Sequence, residues 1–259
     1  MRKRSTRILA LGVVLAVVAV GIATAGEQPT VVRVDNVVVT FDGGVTPKRL
    51  PRNELAPIAF NASGKVKTTD GSHLPALEEV VIEADKNSSI NAKGLPVCTS
   101  GKLQAQDTKH AEEACKPAIV GEGITDAEVE FPEQPPFVAH SKLLAFNGGV
   151  KGGVTTLYIH AYFSAPVSGA IVTTVKVSKI HKGRFGLKSV ATIPKIAGGY
   201  GSVKAFSLTV GRSFTYKGKK QSYLLAKCPD GHLNAHGTAV FQGGPTVSAE
   251  VVRSCTPTG

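Results

Sequence analysis

From Val31 onward the chain alternates apolar and polar residues with a period of two, and glycine-rich turn signals break the alternation at short intervals. A strand turns successive side chains to opposite faces, so this pattern demands sheets with one dry and one wet face. In Asp126-Ala-Glu-Val-Glu-Phe131 the three acids face one way while Ala127, Val129 and Phe131 face the other. Phe206, Leu208 and Val210 likewise oppose Ser207 and Thr209, and Val80, Ile82 and Ala84 oppose Glu79, Glu83 and Asp85. Further strands are expected at Val31–Phe41, Ile58–Val66, Lys142–Phe146, Leu157–Phe163, Ile171–Ser178, Leu187–Ile193, Ser222–Lys227, Gly237–Phe241 and Val247–Cys255. Turns are expected at Asp42-Gly-Gly, Asp70-Gly71, Asn147-Gly-Gly, His181-Lys-Gly, Gly198-Gly, Lys217-Gly and Gly243-Gly-Pro.

One helix interrupts the strands. Asp107 can cap a segment from Thr108 to Cys115, with Ala111, Ala114 and Cys115 on one face. That face turns Cys115 toward Cys98 in the preceding loop. No period of 20–50 residues repeats, which disfavours a propeller or solenoid. The expected fold is all-β: a β-sandwich of ten to twelve short strands with one disulfide-pinned helix. A split at the Pro-rich stretch Phe131-Pro-Glu-Gln-Pro-Pro136 would leave each half a small core, so residues 26–259 are read as a single β-sandwich domain.

Residues 1–25 read as an export signal. Arg2, Lys3, Arg4 and Arg7 precede an uncharged apolar run from Ile8 to Ile22, and Ala23-Thr24-Ala25 places small residues for cleavage before Gly26. The alternative is retention as an anchor, for which Ile8–Ala25 only just reaches a spanning length. No second apolar stretch is comparable, so no transmembrane segment is expected in the mature chain. Four of the 30 basic residues leave with the signal and no acid does, so the mature chain carries 26 basic against 19 acidic residues, net +7. This balance favours anionic surfaces such as acidic wall polymers or lipid head groups. Nucleic acid is not expected as a partner, because an exported protein seldom meets it.

All four cysteines, Cys98, Cys115, Cys228 and Cys255, lie in the exported part, and an even number in an oxidising compartment implies two disulfides. Of three connectivities the two local pairs are preferred, Cys98 with Cys115 and Cys228 with Cys255, because each closes a short loop. Each closure would stabilise the fold by about 3 kcal/mol on chain-entropy grounds.

A series of segments carries a resemblance: Thr40-Phe-Asp-Gly-Gly-Val-Thr-Pro-Lys-Arg-Leu-Pro51, Thr68-Thr-Asp-Gly71, Gly94-Leu-Pro-Val-Cys98, Leu143-Leu-Ala-Phe-Asn-Gly148, Tyr216-Lys-Gly-Lys-Lys, Ser222-Tyr-Leu-Leu-Ala-Lys-Cys228-Pro and Arg253-Ser-Cys255. Over nearly the whole mature chain it resembles a family of exported, uncharacterised proteins of high-GC Gram-positive soil bacteria. The resemblance implies location and a shared fold, and it carries over no catalytic or binding residue.

Three constellations could carry chemistry. Basic residues gather at two expected hairpins: Lys176, Lys179, Lys182, Arg184 and Lys188 around His181-Lys-Gly183, and Lys217, Lys219 and Lys220 around Gly218. They suit an anionic polymer, though charged hairpin tips also simply discourage edge-to-edge pairing. Tyr158, His160 and Tyr162 share one face of a strand and could stack on sugar rings, unless another element covers them. Cys228-x3-His232-x3-His236 has ligand types that suit zinc or copper. On a strand, however, residues four apart lie about 13 Å from each other, and Cys228 is the natural partner of Cys255.

Enzyme signatures are mostly absent: there is no Gly-x-Ser-x-Gly elbow, His-Glu-x-x-His or phosphate loop. Glu78/Glu79 and Asp126/Glu128/Glu130 could supply paired carboxylates, but their alternation with core residues marks a wet strand face. The expected function is a non-catalytic binding or structural protein of the envelope or extracellular space, contacting anionic or glycan surfaces without a cofactor. An exported hydrolase with a spatially assembled site and a small-ligand or metal carrier are the alternatives.

Overall fold

The computed structural model describes residues 28–164 and 168–259. The expected export signal lies outside the described residues. The first half of the chain forms β1 (Thr30–Val34), β2 (Val37–Thr46), β3 (Arg49–Pro51), β4 (Ala56–Thr68), β5 (Leu77–Asp85), β6 (Ser88–Ile90), α1 (Thr108–Cys115), β7 (Ile119–Val129) and β8 (Phe137–Lys151). The second half forms β9 (Val154–Phe163), β10 (Gly169–Lys182), β11 (Phe185–Thr192), β12 (Gly201–Val210), β13 (Ser213–Tyr216), β14 (Lys219–Ser222), β15 (Leu224–Ala226), β16 (His232–Phe241), β17 (Thr246–Ser254) and β18 (Thr256–Thr258).

Twelve antiparallel strands follow one another in the order β1-β2-β4-β12-β7-β8-β9-β10-β11-β5-β16-β17. The two ends of this path meet: Cα atoms of β17 come within 8 Å of β1 and β2. The sheet is therefore a nearly closed barrel, which corrects the expected sandwich. The expectation of short strands fails for the same physical reason. Asp42-Gly-Gly and Asn147-Gly-Gly are not turns but lie inside β2 and β8, the latter a 15-residue strand. Gly43 packs so close to β4 that a Cβ there would sit 2.8 Å from the Asn61 carbonyl oxygen. Gly149, at φ 88°, sits where the register of β8 shifts against β9, and the turn comes later at Gly152-Gly153. Glycines inside long strands let a sheet bend sharply, and a bending sheet closes on itself. Conversely, a turn that was expected to be strand divides β1 from β2, with Asp35 at φ 54°.

Arg253 of β17 reaches over the seam between the barrel's two ends. Its guanidinium donates to the Gly43 carbonyl at 2.7 Å and to the Asp42 carboxylate at 2.6 Å, both on β2. The Cys228–Cys255 disulfide ties the C-terminal segment to the β15–β16 connection, and the parallel pair β18–β3 ties it to the β2–β4 connection.

The alternation reads out as inside and outside. Leu143 and Ala145 belong to the interior, whereas Asp126, Glu128, His140 and Lys142 point outward: Asp126 pairs with His140, Glu128 with Lys204 and His73, and Lys142 with Glu112 and Glu122. A barrel that spans a membrane presents an apolar band outward, so these charged outer rows are the reverse of that arrangement. Among the described residues no helix is long and apolar enough to cross a membrane. Two disulfides, Cys98–Cys115 and Cys228–Cys255, point to an oxidising, extracytoplasmic environment.

Helix α1 packs on the outer face of β8 and β9. Asp107 caps it, accepting from the His110 backbone N–H at 2.8 Å. Ala111 and Cys115 turn inward at i,i+4 spacing, while Ala114, expected on the same face, is exposed. Beneath the helix, Leu144 and Phe146 are buried with Cys98, Leu103 and Cys115. Residues 143–146 thus have a core on each side, which explains why this stretch is continuously apolar instead of alternating.

Candidate functional site

The β13–β14 hairpin is held at its base and free at its tip. Immediately before it, Arg212 donates to the Ile119 carbonyl at 2.5 Å. Immediately after it, Tyr223 is fully buried in the main core, and its N–H closes back on the Arg212 carbonyl at 2.8 Å. Tyr216 packs closely on the loop before Cys98, where a Cβ added to Gly94 would come 2.0 Å from its Cδ2. Gln221 accepts from Asn91 at 3.1 Å. The two central residues, Lys217 at φ 49° and Gly218 at φ 73°, both take left-handed conformations, as a two-residue turn between twisted strands requires.

The tip carries Lys217, Lys219 and Lys220, all exposed. Lys219 stands opposite Tyr216 in the ladder, and the Lys217 ammonium sits 5.8 Å from the Tyr216 ring centroid. None of the three lysines makes an ion pair among the described residues. Their charge is therefore directed at solvent. A lysine at the first turn position is also unusual, because asparagine or glycine takes that conformation at lower cost.

The β10–β11 hairpin differs. Lys182 pairs with Glu83 at 3.2 Å, and Arg184 pairs with Glu250 at 3.0 Å, so β5 and β17 neutralise much of this tip. Lys179 and Lys176 remain exposed along β10, and Lys188 is half-buried on β11. The structure does not bring the two hairpins into one ladder: β10–β11 belongs to the barrel and β13–β14 forms its own two-stranded sheet.

Tyr158, His160 and Tyr162 do share the outer face of β9, but α1 and the loop before it cover part of that face. His160 has no exposed surface, and its Nε2–H donates to the Gln106 carbonyl at 2.9 Å. Burial holds its pKa below the ordinary histidine value. Tyr158 packs against the cluster beneath the helix, and Tyr162 is half-buried. The three rings form no open row. The covering was readable in principle, since a capped helix carrying a cysteine must pack its inner face on something.

His232 and His236 lie on β16. His236 approaches Glu83 at 3.7 Å, His232 is exposed, and the Cys228 sulfur is bonded to Cys255. Among the described residues no group of three or more His, Cys, Asp or Glu side chains could hold a metal ion. Asp126 and Glu128 of β7, and Glu130 just after it, are engaged in ion pairs: Asp126 with His140 at 2.7 Å, Glu128 with Lys204 at 2.7 Å and Glu130 with His73 at 3.1 Å.

No known protein family matches the chain, and no curated protein or solved structure matches it either.

Proposed function

We propose that this chain is a secreted or envelope-associated binding protein that contacts an anionic cell-wall polymer through the tip of the β13–β14 hairpin. The observation that carries the reading is the contrast between the two basic hairpins. Lys182 and Arg184 spend their charge on Glu83 and Glu250, whereas Lys217, Lys219 and Lys220 have no carboxylate partner among the described residues and stand on a base pinned by Arg212 and Tyr223. An array of this kind meets a polyanion without breaking any internal pair, and Tyr216 beside it offers a ring face to the polymer backbone. The net positive charge of the chain adds a weaker, longer-ranged attraction.

The test is retention of the mature chain, from Gly26 onward, on isolated cell-wall material across a salt series. Retention at low salt that is lost as salt rises, and that drops in a Lys217→Asn, Lys219→Gln, Lys220→Gln variant, supports the reading. Retention that ignores both salt and these substitutions refutes it.

A further inference from the structure

The loop that leads to Cys98 joins the β13–β14 hairpin to the end of β8. On one side, Asn91 donates its side-chain amide to Gln221 at 3.1 Å, and Gly94 packs against the Tyr216 ring. On the other, the Cys98 N–H donates to the Asn147 carbonyl at 2.9 Å, and a Cβ on Gly149 would come 3.2 Å from Val97 Cγ2. Residues 91–98, 147–153 and 213–222 therefore form one continuous surface at one end of the barrel.

That surface exposes apolar side chains among cations. Val97 is 55% exposed and Val150 59%. Lys93 and Lys151 are exposed near them and, like the three lysines of the hairpin tip, make no ion pair among the described residues. None of the three segments contains a carboxylate, and between Glu133 and Asp230 the chain has 14 Lys and Arg and no Asp or Glu.

The acids flanking these segments are mostly occupied. Asp85 is buried and accepts from Asn234, Asp107 pairs with His110, and Glu112 pairs with Lys142, which leaves Glu113 exposed on α1. Glu54 and Asp230 share this end of the barrel but lie in the β2–β4 and β15–β16 connections. At the opposite end, the turns after β1, β4 and β7 carry Asp35, Asp70, Glu130 and Glu133.

A hydrated polyanion gains nothing from an exposed valine. At a lipid bilayer the two valines would enter the interfacial layer while the lysines meet head-group phosphates, and binding strengthens with both apolar area and charge. Tyr216, half-buried beneath Lys217, supplies the kind of ring that is apolar at one end and wet at the other, as such an interface requires. Two valines suffice for reversible docking and not for insertion.

We infer that this end of the barrel docks on the surface of an anionic lipid bilayer, with Val97 and Val150 entering the interface. The inference rests on the reading of the β13–β14 lysines as an anion contact and gives them a second partner, phospholipid head groups.

The test mixes residues 26–259 with vesicles of phosphatidylglycerol and phosphatidylcholine in equal parts, or of phosphatidylcholine alone, and reads the bound fraction by sedimentation. Binding to the anionic vesicles only is expected. Val97→Ser with Val150→Ser should weaken it at least about fivefold, while the affinity for soluble poly(glycerol phosphate) stays unchanged. Neutralising Lys217, Lys219 and Lys220 should weaken both. Should the double substitution lower the melting temperature, Val150→Ser alone carries the comparison. Vesicle binding that ignores the valine substitutions, or that is equal on phosphatidylcholine, overturns the inference. Polymer binding without vesicle binding also overturns it and leaves the hairpin reading standing. Absence of both overturns the two together.

Discussion

Among the described residues Tyr223 is the largest side chain with no exposed surface, and its hydroxyl has no hydrogen-bond partner there. Burial drives its pKa far upward, so it stays a neutral phenol whose O–H contributes nothing in return for its desolvation. Tyr223→Phe is therefore expected to stabilise the fold by ~1 kcal/mol, which a thermal melt reads as a rise of about 2–4 °C. A fall would mean that the hydroxyl is satisfied in solution. His160 gives a pH dependence of known sign. Its folded pKa lies below the ordinary 6.5, chiefly through burial, so the unfolded chain binds the proton more readily. Its contribution is intact above about pH 6.5 and is lost as pH falls from there through the lowered folded value. Urea midpoints at about pH 7.5 and 5.5 should show a smaller drop in His160→Gln than in the natural chain. An equal drop would assign the acid sensitivity to other groups.

The two basic hairpins, the capped helix and the inward rows of β5, β7, β9 and β12 are legible in the sequence, because each rests on contacts a few residues apart. The long strands are not legible. Asp42-Gly-Gly and Asn147-Gly-Gly have the composition of turns, and only the partner strand reveals that glycine is there for close approach and a bulge. Asn147 is an instructive case: it is fully buried, and its side-chain amide donates to the Pro96 carbonyl at 2.9 Å, anchoring the loop that leads to Cys98. The β13–β14 turn yields a prediction that separates stability from binding. Asparagine takes the left-handed conformation of Lys217 more readily than lysine does, so Lys217→Asn should keep or slightly raise the melting temperature while weakening polymer binding. If binding were unaffected, the lysine at that strained position would have no functional explanation. A loss of stability would show instead that the turn depends on Lys217 packing over Tyr216.

At the scale of the whole molecule, sandwich and barrel share one alternation pattern and differ in whether the first and last strands meet. That meeting depends on residues far apart in the chain, such as Arg253 and Asp42, so no local period records it. The Arg253 side chain is 15% exposed and bonds across the seam to Gly43 and Asp42. Arg253→Met removes charge-assisted bonds whose loss commonly costs about 2–4 kcal/mol. Hydrogen exchange should accelerate first in β1, β2 and β17; uniform acceleration across all strands would argue against a discrete seam.

The outer surface governs the proposed contact with the wall, and its salt dependence is the most direct test. Titrating residues 26–259 with poly(glycerol phosphate) at a series of salt concentrations gives the slope of log K against log salt. That slope counts the phosphate contacts. The hairpin account predicts a steep slope that becomes shallower by about one for each of Lys217, Lys219 and Lys220 neutralised. A slope unchanged by all three substitutions, or binding that does not respond to salt, would contradict it.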